Sequence, residues 1–327
     1  MTNQSEEQER INKFMEKLLN LRTNVKIQYI KLGEKGRYWN DCKKENIIKL
    51  GFDSGKANVL ELMKNGDWEK ITQKWKEECS GTPQQFTNQM KSFFEDDGTT
   101  LWITFEDECL YYGFTDGGDI IPDINSQDSY RKMDSNGWLC RNKKGEILSI
   151  NQLSGKLTKT AAYRQTICSL KHDVETYLIQ RLLGENSDDV RKVIEYKEQL
   201  EFSIQKLIKE LTWQDFEVLV ELIFVNSGWR RVSSTGGSQK TIDIGLENPI
   251  TGDAAFVQIK SNTTQKQLDE YIEKMKESYY ERMFYVFHTH DGEINTEDTD
   301  VSLWDVNKIS KLVVSNGLVD WVIKRIS

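Results

Sequence analysis

Seven residues in the last third of the chain, Ala254–Lys260, constrain its fold more than any other segment. Their apolar and aromatic composition predicts a strand in the core of a domain. Side chains alternate along a strand, so Gln258 and Lys260 lie on one face, while Val257 and Ile259 lie on the other. A glutamine and a lysine are costly to bury without partners, so their face requires either solvent or a site for a metal and a phosphate.

A second strand brings a carboxylate to the same place. Thr241–Ile244 is predicted to form a hairpin with the first strand through a turn at Asn248–Gly252, which puts Asp243 across from Gln258 and Lys260. Hydrolysis of a phosphodiester near neutral pH needs a divalent cation held by carboxylates, a cationic group that stabilises the phosphorane, and a positioned water. The predicted hairpin carries side chains of the types that this chemistry requires.

Further motifs stand in a fixed order around this hairpin. In chain order they are Phe216-Glu217, Gly228-Trp229, Thr235-Gly236-Gly237-Ser238, Asp243 and Gln258-Ile259-Lys260. This ordered set resembles the Mrr-like branch of the PD-(D/E)XK nucleases. The resemblance covers about Leu211 to Ser327, with a predicted helix Thr264–Ser278 and strand Met283–His288. It implies an α/β restriction-endonuclease-like domain with a central mixed sheet flanked by helices.

The resemblance also implies roles for individual residues. The catalytic set is Glu217, Asp243, Gln258 and Lys260. Asp243 would ligate Mg²⁺ or Mn²⁺ together with the Ile259 carbonyl and Gln258 or Glu217, and Lys260 would orient or activate water and stabilise charge. Glu221, one helical turn after Glu217, is an alternative for the helical carboxylate.

The glycine-rich loop departs from the family pattern at one position. Family members often carry an acidic residue four positions before the catalytic aspartate, and this chain has Gln239 there. The departure concerns the chemistry of the loop more than catalysis. Ser238 and Lys240 of the same loop are candidates for contact with nucleic acid.

The length of 327 residues predicts two domains with separate cores. Residues 1–172 form the first, residues 173–210 a helical connector, and residues 211–327 the nuclease-like domain. The clearest β signal in the first domain is a hairpin over Thr100–Phe114, with further strands at Trp138-Leu139 and Ile147–Ile150. Together with amphipathic helices over Ala57–Glu78 and Pro83–Phe94, this predicts an α+β domain centred on a small β-barrel.

The first domain shows a fainter resemblance to the PUA-like and EVE-like readers of modified bases that accompany Mrr-like nucleases in type IV restriction enzymes. Its candidates for nucleic-acid contact are Tyr38, Trp39, Trp102, Tyr111, Tyr112, Trp138, Tyr163 and Arg164. Such aromatic side chains can stack on a flipped base, and an arginine can bind phosphate. The alternative is that these aromatic residues pack a β core.

Charge and hydropathy limit the partners. The net charge of −8, and 18 acidic against 12 basic residues from Leu211 to Ser327, argue against a protein that coats nucleic acid non-specifically. No apolar run is long enough to span a bilayer, which predicts a cytoplasmic protein without a membrane partner. The partner implied by the resemblance is DNA, modified or not, and cutting both strands predicts a homodimer or a higher homo-oligomer.

Three functions stay open at this point. The first is a metal-dependent DNA endonuclease of a modification-dependent restriction or anti-phage system. The second is a non-catalytic nucleic-acid-binding or regulatory protein that has kept the nuclease fold, and the third is a nuclease switched on by a small nucleotide. Retention of both Asp243 and Lys260 favours the catalytic functions.

Overall fold

A computed structural model describes residues 2–21, 25–78, 82–123, 125–232, 243–278 and 280–327. The chain divides into two compact units, Met1–Ser187 and Asp188–Ser327. The segment 173–210, interpreted from the sequence as a connector, is shared between them. Its first helix, His172–Leu183, belongs to the first unit, and its second, Asp188–Glu210, belongs to the second.

The first unit mixes helices and strands, as the sequence predicts. Its helices are α1 (Thr2–Leu21), α2 (Trp39–Glu45), α3 (Ala57–Lys64), α4 (Trp68–Glu78), α5 (Pro83–Phe94), α6 (Gly155–Thr158) and α7 (His172–Leu183). Its strands are β1 (Lys26–Ile30), β2 (Ile47–Leu50), β3 (Thr100–Glu106), β4 (Cys109–Gly113), β5 (Ile121–Pro122), β6 (Ser129–Lys132) and β7 (Ile167–Ser169). Gly66, at a φ of 72°, separates α3 from α4, because glycine adopts this left-handed conformation without steric cost.

The strands of the first unit form two sheets. The first has the order β4-β3-β1-β7, with β1 and β3 parallel, and the second has the antiparallel order β2-β6-β5. The predicted hairpin of β3 and β4 is confirmed by its antiparallel register.

The small barrel predicted for this unit is not seen among the described residues. Segments 138–139 and 147–150, predicted as strands, make only isolated bridges: Leu139 pairs with Tyr112, while Arg141 pairs with Ile147. Because neighbouring residues of this stretch pair with different partners, no continuous ladder forms there.

A buried acidic residue organises the polar interior of the first unit. Asp96 is 4% exposed, and its carboxylate accepts hydrogen bonds from the indole N–H of Trp102 at 2.9 Å and from the Thr115 hydroxyl at 2.6 Å. It also accepts from the backbone N–H groups of Gly98 and Thr100. The guanidinium of Arg131, 3% exposed, donates to the Asp96 backbone carbonyl. The oxygens of Asp96 therefore accept hydrogen bonds from several buried donors, which would otherwise lack a partner.

The second unit contains one five-stranded mixed sheet between helices, which confirms the fold class predicted for it. Its helices are α8 (Asp188–Glu210), α9 (Trp213–Asn226), α10 (Gln265–Lys276), α11 (Val306–Ser315) and α12 (Val319–Ile326). Its strands are β8 (Arg230–Arg231), β9 (Ile244–Glu247), β10 (Ala254–Thr264), β11 (Arg282–Asp291) and β12 (Val301–Trp304). The sheet order is β12-β11-β10-β9-β8, with β10, β11 and β12 parallel and β8 and β9 antiparallel.

The alternation of side chains along β10 separates two apolar layers. Val257 and Ile259 pack in a cluster with residues of α8, α9 and α11, whereas Phe256 packs in another with Leu268 of α10. Helix α9 begins after a capping residue, since the Thr212 hydroxyl accepts a hydrogen bond from the Asp215 backbone N–H. Among the helices described, none combines the length and apolar character needed to cross a bilayer.

Candidate active site

The hairpin of β9 and β10 places a carboxylate next to the polar face of β10. Ile244 is paired with Val257, so Asp243, which directly precedes β9, lies next to Gln258. The Asp243 carboxylate accepts a hydrogen bond from the Ile259 backbone N–H at 2.7 Å and another from the Gln258 side-chain amide. The predicted proximity of Asp243 and Gln258 is therefore confirmed.

Burial dominates the electrostatics of Asp243. It raises the pKa of this carboxyl above its usual range, and the Ile259 N–H, Lys260 and Gln258 oppose the rise. A carboxylate whose charge is disfavoured by burial gains from a nearby cation. The site is therefore suited to a positively charged ligand.

Gln258 has an unusual hydrogen-bonding state. Its side chain is 1% exposed, and because its amide N–H donates to Asp243, the amide oxygen points elsewhere. That oxygen is buried and has no hydrogen-bond partner among the described residues. An unpartnered buried acceptor costs free energy, and such groups are rare unless a ligand or water satisfies them.

The two helical carboxylates of α9 have different surroundings. Burial and the charge of Asp243 raise the pKa of Glu217, while Arg231 and Lys260 oppose the rise. Glu221 instead forms an ion pair with Arg231 at 2.9 Å. Glu217 is thus electrostatically coupled to Asp243 and Lys260, and Glu221 has a cationic partner in Arg231.

The donor set fits a hard divalent cation. Among the described residues, no three His, Cys, Asp or Glu side chains are grouped to hold a metal. Asp243 and Glu217 could supply two carboxylates, and the Gln258 amide oxygen, which has no partner among the described residues, could supply a third oxygen if the amide turned toward Asp243. Mg²⁺ binds oxygen ligands and usually keeps several waters or phosphate oxygens, so three protein oxygens are compatible with its chemistry.

Lys260 lies on the same strand with its side chain partly buried. Its ammonium nitrogen is 5.2 Å from the centre of the Tyr271 ring on α10. Neither Tyr271 nor Arg231 was singled out by sequence reasoning. No local pattern identifies them, because they reach the site through the packing of α10 and of β8 against other elements.

Six of the aromatic residues considered for base stacking are buried in the first unit. They are Tyr38, Trp39, Trp102, Tyr111, Tyr112 and Trp138. Trp102 and Tyr112 are 0% exposed, and the indole N–H of Trp138 donates to the Ile47 carbonyl. A fully buried ring has no face for a base, so packing of the core accounts for these residues.

Two of the remaining candidates are at the surface, and two are not described. Tyr163 is 40% exposed, and Arg164 is exposed beside it. Ser238 and Lys240, with the rest of the glycine-rich loop and Gln239, lie outside the described residues.

A family model matches the part of the chain that holds the candidate site. Residues 208–313 match the Mrr_cat family model, described as a restriction endonuclease, and this range contains Glu217, Asp243, Gln258 and Lys260. No curated protein matches the chain.

One solved structure, titled "DNA modification-dependent restriction endonuclease AspBHI", is 12% identical over 69% of this chain and 68% of its own. Its TM-score of 0.25 is too low for an argument about architecture.

Proposed function

We propose, from the match of residues 208–313 to the restriction endonuclease family, that this protein is a metal-dependent endonuclease that hydrolyses DNA phosphodiester bonds. The observation that carries the proposal is the Asp243 carboxylate. It is partly buried, accepts hydrogen bonds from Gln258 and Ile259, and is electrostatically coupled to Lys260 and Glu217. Sites that combine burial with specific charged partners are enriched in catalytic functions.

The proposed residues have complementary roles. Asp243 and Glu217, with the Gln258 amide oxygen and the Ile259 carbonyl, would hold Mg²⁺ or Mn²⁺. When bound, this cation supplies Lewis-acid stabilisation of the phosphoryl oxygens and lowers the pKa of water. Lys260 presents its ammonium to the charge that develops on the phosphorane, and it orients the attacking water. Asp243 and Gln258 fix each other's geometry, so these groups need little reorganisation during the reaction.

For the first unit we propose recognition of the DNA to be cut. The type IV resemblance suggests that it reads modified bases, which makes the protein part of a restriction or anti-phage system. Tyr163 and Arg164 remain available for contact with nucleic acid, because both are exposed. Arginine binds phosphate through a planar pair of donors, and tyrosine can stack on a base.

Cleavage of both strands leads us to propose a homodimer. Helix α8 carries exposed apolar side chains that suit such contact, including Val193 at 65% and Tyr196 at 63% exposure, which are three residues apart and so neighbours on the helix surface. Contiguous exposed apolar surface often marks a protein interface. Two copies would supply one active site for each DNA strand.

A cavity in the first unit favours a second candidate function, a nuclease activated by a small nucleotide. The cavity has a volume of about 750 Å³, and its lining includes Arg141 and Arg181 together with the acidic side chains of Asp107, Glu108 and Glu146. The Nε of Arg181 is buried without a hydrogen-bond partner among the described residues. A guanidinium with an unused donor is suited to an anionic ligand such as a phosphate. The non-catalytic alternative has no comparable support.

The proposed function is tested by incubating the purified protein with Mg²⁺, Mn²⁺ or a chelator. The substrates are unmodified plasmid, methylated plasmid, and phage DNA with hydroxymethylated or glucosylated cytosine. We expect cutting that requires the metal and prefers one of the modified substrates. Cutting that appears only after a nucleotide is added, and that Arg181→Gln abolishes, would support the second candidate. DNA binding without cutting under every condition would contradict both nuclease functions.

The raised pKa values of Asp243 and Glu217 predict how metal binding depends on pH. A carboxyl must lose its proton to bind a metal, and burial raises both pKa values above the usual 3.8 and 4.5. Metal affinity should therefore be highest near neutral pH. As the pH is lowered, it should begin to fall at a higher pH than the one at which ordinary aspartate and glutamate side chains take up a proton. The measurement is the rise in melting temperature that Mg²⁺ or Mn²⁺ causes, followed from pH 8 downward. A rise that persists unchanged into the ordinary carboxyl range would contradict the prediction, and Asp243→Asn, which should show no rise, is the control.

A further inference from the structure

Two lysines contact one aromatic ring beside the candidate active site. The Lys260 ammonium nitrogen lies 5.2 Å from the centre of the Tyr271 ring, and the Lys274 nitrogen lies 4.3 Å from the same centre. Tyr271 and Lys274 are three residues apart on α10 and therefore neighbours on its surface. The two nitrogens lie within 9.5 Å of each other, the sum of these two distances.

Lys274 differs from Lys276 of the same helix, because it has no carboxylate partner among the described residues. It is exposed, and in the part of the chain that the structure describes it forms no ion pair. Lys276, two residues later, is paired with Glu273 at 2.9 Å. The Lys274 ammonium therefore adds positive charge next to Lys260 in a domain that has more acidic than basic residues.

The aromatic ring explains how this arrangement is held. A cation over the face of a tyrosine is attracted by the negative charge of the ring face. The same ring attracts both ammonium groups, which repel each other at short range. A phosphate close to both would relieve that repulsion, since phosphates of the nucleic-acid backbone bind lysine through charge.

We propose that Tyr271 and Lys274 extend the active site along the nucleic-acid backbone. Tyr271 is a positioning residue that holds the Lys260 ammonium, and Lys274 binds a backbone phosphate next to the phosphate that is cut. This inference rests on the proposed function. It assigns part of the DNA contact to α10, on the side of the sheet where Gln258 and Lys260 project.

The salt dependence of DNA binding tests the phosphate contact. Binding of a short duplex is measured in the Asp243→Asn background over a range of salt concentrations. Each phosphate contact adds about 0.9 to the slope of log affinity against log salt, so Lys274→Gln should reduce this slope by about that amount. The matched control is Lys276→Gln, which removes a paired lysine of the same helix and should leave the slope unchanged. Equal slopes for the two variants would overturn the assignment of Lys274.

Single-turnover cleavage tests the positioning role. Tyr271→Phe keeps the aromatic face, and its rate should stay within about twofold of the wild type. Tyr271→Leu removes the face, and its rate should fall by about 3- to 30-fold with duplex affinity and melting temperature little changed. A wild-type rate for Tyr271→Leu, or an equal loss for Tyr271→Phe, would overturn the positioning role.

These outcomes separate this inference from the proposed function. If the wild-type protein cuts DNA while the variants of Tyr271 and Lys274 match it in rate and salt dependence, only the extension along α10 is wrong. If the wild-type protein neither binds nor cuts DNA under any condition, the proposed function is wrong, and the inference fails with it.

Discussion

Replacing Asp243 with Asn is expected to lower the rate of DNA cleavage by at least about a thousandfold, because metal ions supply several kcal/mol of transition-state stabilisation. The Asp243 carboxylate is the acidic group that the hydrogen bonds of Gln258 and Ile259 hold in place. Asparagine keeps the size of the side chain but loses its charge. The measurement is the single-turnover rate with saturating DNA in Mg²⁺ and in Mn²⁺.

A companion variant at Lys260 sharpens this prediction. Lys260→Gln should lower the rate by about a hundred- to a thousandfold, the usual effect of removing one stabilising donor for developing negative charge. Asp243→Asn and Lys260→Gln should both still bind DNA, which separates a loss of catalysis from a loss of substrate binding.

The two carboxylates of α9, Glu217 and Glu221, provide a matched pair of test and control variants. Glu217→Gln should weaken metal binding and slow cleavage, because Glu217 is electrostatically coupled to Asp243 and Lys260. Glu221→Gln should cleave at close to the wild-type rate, because Glu221 pairs with Arg231 instead. Cleavage by Asp243→Asn at the wild-type rate would exclude Asp243 as a metal ligand, and loss of cleavage only in Glu221→Gln would transfer the helical role to Glu221.

The largest effect on stability is expected at Asp96 in the first unit. Asp96→Ala should lower the free energy of unfolding of this unit by at least about 3 kcal/mol, the typical cost of breaking a buried charged network. The substitution leaves the buried donors of Trp102 and Thr115 without an acceptor. It also removes the carboxylate that offsets the desolvation of Arg131, whose pKa burial already lowers.

Urea unfolding followed by tryptophan fluorescence measures this effect, because Trp102 is itself a partner of Asp96. Asp97→Ala is the control. Asp97 is exposed and accepts hydrogen bonds mainly from Thr99, so its replacement should cost less than about 1 kcal/mol. If Asp96→Ala and Asp97→Ala unfold at the same urea concentration, the buried network does not stabilise the unit.

The polar hairpin shows how much of the candidate site was predictable. Alternation along Ala254–Lys260 puts Gln258 and Lys260 on one face from sequence alone, and the turn at 248–252 brings Asp243 to the same place. The state of the Gln258 amide was not predictable. The amide donates to Asp243, and its oxygen has no partner among the described residues. Both depend on how distant segments of the chain pack around this side chain.

Aromatic residues show the opposite case. Trp102 and Tyr112 are side chains of the type that can stack on a base, yet both are fully buried. Sequence spacing gives the face of a strand on which a ring lies, but the covering of that face depends on distant segments. Helix α1, for example, packs Phe14 against Tyr112 at 4.7 Å between ring centres.

The sequence by itself determined what depends on neighbouring residues. This includes the hairpins of the two units, the mixed α and β composition, and the likeness of residues 208–313 to a restriction endonuclease family model. Only the tertiary structure decided that the described residues of the first unit form two sheets where a barrel was predicted, that the charge of Asp243 acts on Glu217, and that Tyr271 lies beneath two lysines. Periodicity and capping act over a few residues, whereas burial and electrostatic coupling arise between segments far apart in the chain, and their energies are set only when those segments pack.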